Sequence, residues 1–203
     1  ITFAKNIPAI ESADIVFFAV KPQVMRKALI PLAPTVSQNH PLLISIAAGI
    51  TIESIETWTG GNPALVRVMP NTPALISAGV SALFANDRVT ATQHCLAEDI
   101  MRAVGTTVWV KDESLMDIIT AVSGSGPAYF FYLMEAVEQA AIEEGLDPDT
   151  ARLLTLETAF GATRLALDST ETPAELRARV TSPGGTTETA IHILDEASTN
   201  EAI

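Results

Sequence analysis

Asp14-Ile-Val-Phe-Phe-Ala-Val20 is followed at once by Lys21-Pro22. The six residues from Ile15 to Val20 are all apolar and rich in strand formers, and proline resists further pairing where the run stops. A strand apolar at every position reads as a central parallel strand covered on both faces. Pro22 suits the first turn of a helix through Met25, Ala28 and Leu29, which Pro31 and Pro34 then close. Leu42 to Ala47 reads as the next strand. Thr51-Ile-Glu-Ser starts a short helix ending near Gly60-Gly61, and Leu65-Val-Arg-Val-Met69 is a third strand. This β-α-β-α-β order is the rhythm of a doubly wound, Rossmann-like sheet. Val80, Ala82 and Phe84 mark a further strand, Thr90 to Val104 a helix, and Thr106 to Val110 a last strand.

Beyond Lys111 the pattern becomes helical. Leu115, Ile118, Ile119 and Val122 share one face of a helix over 112–122, which Ser123-Gly-Ser-Gly126 interrupts. Pro127 opens the next helix, which runs to Gly145 and is apolar on nearly every side between Phe130 and Val137, so it is expected to be buried all round by a second subunit. Asp147-Pro148 opens another, with Leu153, Leu156, Phe160 and Leu167 at helical spacing. Thr172-Pro-Ala-Glu175 is a capping-box pattern for a short helix to Val180, and Glu188 to Ala197 is the last. The expected organisation is a nucleotide-binding sheet domain over residues 1–111 followed by an all-α domain over 112–203.

Charge divides the chain at the same place. Of a net −12 over 203 residues, residues 1–111 carry eight Lys or Arg against seven acids, and residues 112–203 four Arg against seventeen acids. That balance excludes a nucleic-acid surface, which needs clustered cations. The longest apolar run is far short of the ~18 residues of a membrane span. One cysteine, Cys95, excludes an internal disulfide, and it reads as a core residue of its helix rather than a nucleophile. His40, His94 and His192 are too scattered for a metal site. A cytoplasmic globular protein is expected.

No Gly-x-Gly-x-x-Gly follows a strand, and the sequence opens at Ile1 on what reads as the entry to a later strand. The expectation is that the first βαβ portion, on the order of 50 residues, precedes Ile1. At the other end, Ser182-Pro-Gly-Gly-Thr-Thr187 leads into a helix start. Backbone N–H groups converging there suit a carboxylate or phosphate without any cation. The hydroxyls of Thr186 and Thr187 either hydrogen-bond a ligand or cap the helix, and spacing leaves both readings open.

Five segments together resemble the pyrroline-5-carboxylate reductases: Ala19-Val-Lys-Pro22, Ile46-Ala-Ala-Gly49, Val68-Met-Pro-Asn-Thr-Pro73, Ser123-Gly-Ser-Gly-Pro-Ala-Tyr129 and Ser182-Pro-Gly-Gly-Thr-Thr187. The resemblance implies NAD(P)H-dependent reduction of 1-pyrroline-5-carboxylate to L-proline, with NADPH, or NADH in its place, as donor. It implies cofactor contacts from Ala19, Val20, Lys21, Pro22, Ile46, Ala47, Ala48, Met69, Pro70, Asn71 and Thr72. It implies substrate contacts from Glu113, Ser182, Gly184, Gly185, Thr186 and Thr187, with Thr187 orienting the ring nitrogen. It also implies a homodimer through the helical domain, in some members a ring of dimers. Arg179 lies outside the matching segments and takes no role.

Two other readings compete. A hydroxyacid dehydrogenase of the same architecture would need a lysine in the helical half to polarise a carbonyl, and none follows Lys111. A helical dimerisation module with a degenerate nucleotide half is the non-enzymatic reading.

Overall fold

The structure is a computed structural model that describes residues 9–199. Two compact units divide the chain, residues 1–131 and 132–203.

The first unit is built on five strands in sequential order: β1 (Ile15–Phe18), β2 (Leu42–Ser45), β3 (Leu65–Met69), β4 (Gly79–Ala85) and β5 (Gly105–Trp109). β1, β2 and β3 are parallel, with Phe18 opposite Ser45 and Ser45 opposite Arg67. β4 runs antiparallel to β3, and β5 runs parallel to β4. The reversal has a simple cause: residues 70–78 are too few for the crossover of a dozen or more that a parallel return requires. β1 borders the described sheet, and Phe17 is exposed on it.

Helices cover both faces. On one side α1 (Pro22–Leu29), α2 (Ala33–Asn39) and α3 (Ile52–Thr59) bury Met25, Leu29, Val36 and Ile55 against Leu43 and Leu65. On the other, α4 (Ala91–Arg102) buries Ala97 and Met101 against Leu42, Ile44, Val66 and Leu83. Alternate residues of β2 and β3 therefore serve opposite layers, and each fully buried leucine contributes about 2 kcal/mol of transfer free energy. The first helix closes at Leu29, just ahead of Pro31 and Pro34. The chain continues through a 3-10 turn, Ile30–Leu32, straight into α2, with each proline in a first turn where its missing N–H is not needed.

After β5 come α5 (Leu115–Ile119) and a π-helical turn, Thr120–Gly124, then α6 (Gly126–Glu143). The Ser-Gly-Ser-Gly run is thus the joint between two α-helices, Ser123 and Gly124 closing the π turn and Gly126 opening α6, and the Ser125 N–H donates to the Thr120 carbonyl at 2.8 Å across the wider turn. The second unit holds most of α6 with α7 (Pro148–Asp168), α8 (Pro173–Arg179) and α9 (Thr186–Glu196). Asp147 caps α7 through the Thr150 N–H, and Thr172 and Glu175 complete the capping box of α8. Among the described residues, the apolar side chains Tyr132, Leu133, Leu153, Phe160 and Leu167 of α6 and α7 are all exposed, not buried all round.

Two substitutions test this description. Gly105 has φ +147°, and a Cβ there would run into the Gly79 carbonyl of the neighbouring strand. Gly105→Ala is expected to cost about 3 kcal/mol in chemical denaturation. Hydrogen bonds from Thr150, side chain first and backbone second, hold Asp147 below its ordinary carboxylate range, and the backbone and then the hydroxyl of Thr172 do the same for Glu175. A depressed folded pKa stabilises above the unfolded value, near pH 4, and that contribution is lost as pH falls through the folded pKa. Melting temperature should therefore drop from about pH 5 toward pH 3, less steeply in Asp147→Asn, whose amide oxygen still caps but does not titrate.

Candidate active site

The parallel register of β1 to β3 brings the segments after them to one edge of the sheet, where ligands of open α/β sheets collect. The Ile46 N–H donates to the Phe18 carbonyl at 3.2 Å, fastening Ile46-Ala47-Ala48 beside Ala19-Val20. The Ala47 N–H donates to the Ser45 hydroxyl at 3.3 Å, and Gly49 turns the chain with φ +71°. Lys21 is exposed immediately before Pro22, the first residue of α1. Ala19, Ala48 and Gly49 are small and exposed, leaving backbone accessible. These residues fit an extended anionic cofactor laid across the strand ends: small side chains permit close approach, and Lys21 supplies a cation.

Beyond β3 the side chain of Asn71 turns back into the protein. Its Oδ1 accepts from the Val80 N–H at 3.0 Å, tying the start of the 3-10 turn Thr72–Ile76 to the start of β4. Asn71, Pro73, Val80, Ser123, Pro127 and Phe130 line a mostly apolar cavity of about 340 Å³. Its far wall is the π turn, where Ser123 Oγ donates to the Ile119 carbonyl at 3.1 Å and Thr120 Oγ1 to the Met116 carbonyl at 2.7 Å. Gly124 packs against the end of Met69, so that a Cβ there would run into Met69 Cε. Met69, Pro70 and Asn71 therefore share one surface with Ser123 and Gly124.

Glu113 lies in the connection from β5 to α5. One oxygen, Oε1, accepts from the guanidinium of Arg67 and from the Ile52 N–H at 2.8 Å. Arg67 is buried, on the same side of β3 as Leu65, and its charge is met by Glu113. An arginine in the middle of an apolar strand was the signal in Leu65-Val-Arg-Val-Met69 that sequence reading passed over.

In the second unit, Ser182 to Gly185 forms a tight turn in which the Gly185 N–H donates to the Ser182 carbonyl at 3.0 Å and Gly184 has φ +71°. Gly185 is the N-cap of α9, with no side-chain cap. Thr186 and Thr187 are thus the first two helical residues, and the capping role left open for their hydroxyls is not the one they play. Glu188 accepts the Gly184 N–H at 2.7 Å. Among the described residues no protein acceptor meets the N–H groups of Thr186 and Thr187, as expected of a first helical turn.

The histidines are placed structurally. His94 stacks on Trp109 at 3.6 Å, His40 ends α2 in the left-handed region, and His192 faces Glu196. Among the described residues no cluster of three metal-binding side chains occurs. Cys95 is exposed, not in the core: it falls on the outer side of α4, where Ala97 and Met101 face inward.

Removing the Asn71 acceptor strands a backbone donor. Asn71→Leu should lower stability by about 1–2 kcal/mol in thermal or urea unfolding, while Asn71→Asp, which keeps an acceptor, should stay closer to wild type.

Comparison with known proteins connects these features. Residues 113–203 match the family model described as pyrroline-5-carboxylate reductase dimerisation, and residues 1–49 match the model described as NADP oxidoreductase coenzyme F420-dependent. A pyrroline-5-carboxylate reductase of Pseudomonas aeruginosa is 51% identical over 92% of this chain and 68% of its own length. One from Haemophilus influenzae is 41% identical over 100% of this chain and 74% of its own. Among solved structures, the pyrroline-5-carboxylate reductase of Coxiella burnetii superposes with a TM-score of 0.90 at 45% identity, over 98% of this chain and 74% of that one. The Plasmodium falciparum enzyme, with NADP bound, gives 0.92 at 32% identity over 98% and 75%.

Proposed function

The chain belongs to the pyrroline-5-carboxylate reductase family, and on that premise we propose that it reduces 1-pyrroline-5-carboxylate to L-proline in the cytoplasm with NADPH, or NADH in its place. The observation that carries the reading is the alignment with reductases across nearly the whole chain, loops and C-terminal joint included. When bound, the reduced nicotinamide supplies a hydride to the imine carbon.

The remaining roles belong to the protein. Ala19, Val20, Lys21, Pro22, Ile46, Ala47, Ala48, Met69, Pro70, Asn71 and Thr72 hold the cofactor along the strand ends, with the Lys21 ammonium toward its phosphates. Ser182, Gly184, Gly185 and Thr186 form the cradle of the substrate carboxylate: the Thr186 N–H and the Ser182 and Thr186 hydroxyls donate to it, while Gly184 and Gly185, whose N–H groups meet Glu188 and the Ser182 carbonyl, shape the turn, an arrangement that needs no cation in an acidic unit. The Thr187 hydroxyl donates to the ring nitrogen and holds the imine in line for transfer. Glu113 serves the substrate through Oε2, since Oε1 is engaged by Arg67 and Ile52. The ring nitrogen takes its proton from water, so no strong protein acid is required.

The exposed faces of α6 and α7 support a homodimer. Phe130, Phe131, Tyr132 and Leu133 are consecutive and exposed, so they cannot all turn toward one intramolecular core. Met134→Asp is expected to give a monomer by light scattering with loss of activity; a fully active monomer would contradict the dimer.

Thr187 gives the test of mechanism. Thr187→Val keeps the shape and removes the hydroxyl, and kcat/KM should fall roughly 10- to 1000-fold, with much of it retained in Thr187→Ser. Because Gly185 is the N-cap, the melting temperature of Thr187→Val should stay near wild type. Normal turnover in Thr187→Val would remove the residue from the mechanism.

A further inference from the structure

Arg67 has no explanation in packing. It stands between Val66 and Val68 on a strand whose first four residues are buried, and its side chain is 7% exposed. An apolar residue there would serve the core, because burying a guanidinium carries a penalty of several kcal/mol, and apolar replacements of buried ion pairs are often neutral or stabilising. Its partner, by contrast, is not sealed: the Glu113 side chain is 27% exposed.

The geometry of the pair is asymmetric. Arg67 and the Ile52 N–H both donate to Oε1 of Glu113, and among the described residues Oε2 receives no protein donor. Two donors on one oxygen, approaching from β3 and from the first residue of α3, leave the carboxylate little freedom to rotate. One oxygen is clamped, and the other is left without a protein donor. The elements joined at Oε1 also border the site: β3 ends at Met69, α3 follows the Ile46–Ile50 connection, and Glu113 leads through α5 to Ser123 and Gly124.

We propose that Arg67 is a positioning residue, which aims the free oxygen of Glu113 at the substrate by clamping the other. This rests on the reading that Glu113 serves the substrate. The guanidinium touches neither substrate nor cofactor; it acts through Glu113. Arginine suits the task because its planar, permanently charged fork fixes direction, which the flexible lysine ammonium does not.

The test is a double-mutant cycle on Arg67→Met and Glu113→Gln in the whole enzyme, with steady-state kinetics and melting temperature measured on each variant. Each single change should raise KM for 1-pyrroline-5-carboxylate about 10- to 100-fold with kcat altered less than about threefold, and the double variant should be no worse than the worse single. Arg67→Lys should recover part of the loss; if Arg67→Met does not fold, Arg67→Lys carries the test with an expected rise of about three- to tenfold. An unchanged KM in the folded Arg67 variants overturns the proposal, as does a double variant in which the two effects multiply. A silent Glu113→Gln beside a raised KM in Arg67→Met also overturns it, because Arg67 would then not act through Glu113. Absence of 1-pyrroline-5-carboxylate turnover in the wild-type chain overturns the functional reading and the proposal together, whereas turnover with KM unmoved in the variants overturns the proposal alone.

Discussion

Three strands running the same way in register are the constraint on which the first unit depends. Because β1, β2 and β3 are parallel, the residues that follow them emerge on one edge, and a site can be assembled from segments some fifty positions apart without any long loop. Parallel pairing also requires a crossover after each strand, and those crossovers, α1 through α3, supply one of the two layers that bury the sheet. The antiparallel return into β4 then brings Asn71 and Val80 together and places the 3-10 turn beside the site.

The sequence announced the alternation of elements because buried strands and amphipathic helices leave strong periodic signals. Residues with purely local roles were equally legible: Thr172 and Glu175 form the expected capping box, Asp147 caps α7, and Gly60 ends α3 in the left-handed region. Features that depend on what lies opposite were not. Pro31 and Pro34 lie just past Leu29, where α1 closes as expected, but that each also opens a further helical segment is not legible locally. Ser123 to Gly126 does separate two α-helices, but the form of the break, a wider π turn that lets Gly124 approach Met69, is not written in the local pattern. Cys95 was expected inside its helix because cysteine is usually buried, and only the placement of α4 on the sheet shows which stripe faces in.

The segments of the candidate site were named through their resemblance to a family, since each is weak alone and glycine, proline and small residues at strand and helix ends also serve turns and caps. The partnership of Arg67 with Glu113 could not be named at all, because 46 residues separate them and neither sits in a distinctive local pattern. The second unit poses the complementary case: α7 and α8 carry the side-chain caps the sequence announces, whereas among the described residues the apolar side chains of α6 and α7 stay exposed, which no local pattern foretells.

The central claim is hydride transfer from a nicotinamide to the imine carbon of 1-pyrroline-5-carboxylate. Incubating the protein with substrate and reduced nicotinamide cofactor carrying deuterium at both C4 positions, then locating the label by NMR, tests it directly. The account predicts L-proline carrying one deuterium at C5, the former imine carbon; proline without deuterium at C5 in the dideuterated cofactor experiment, or no proline at all, would contradict it.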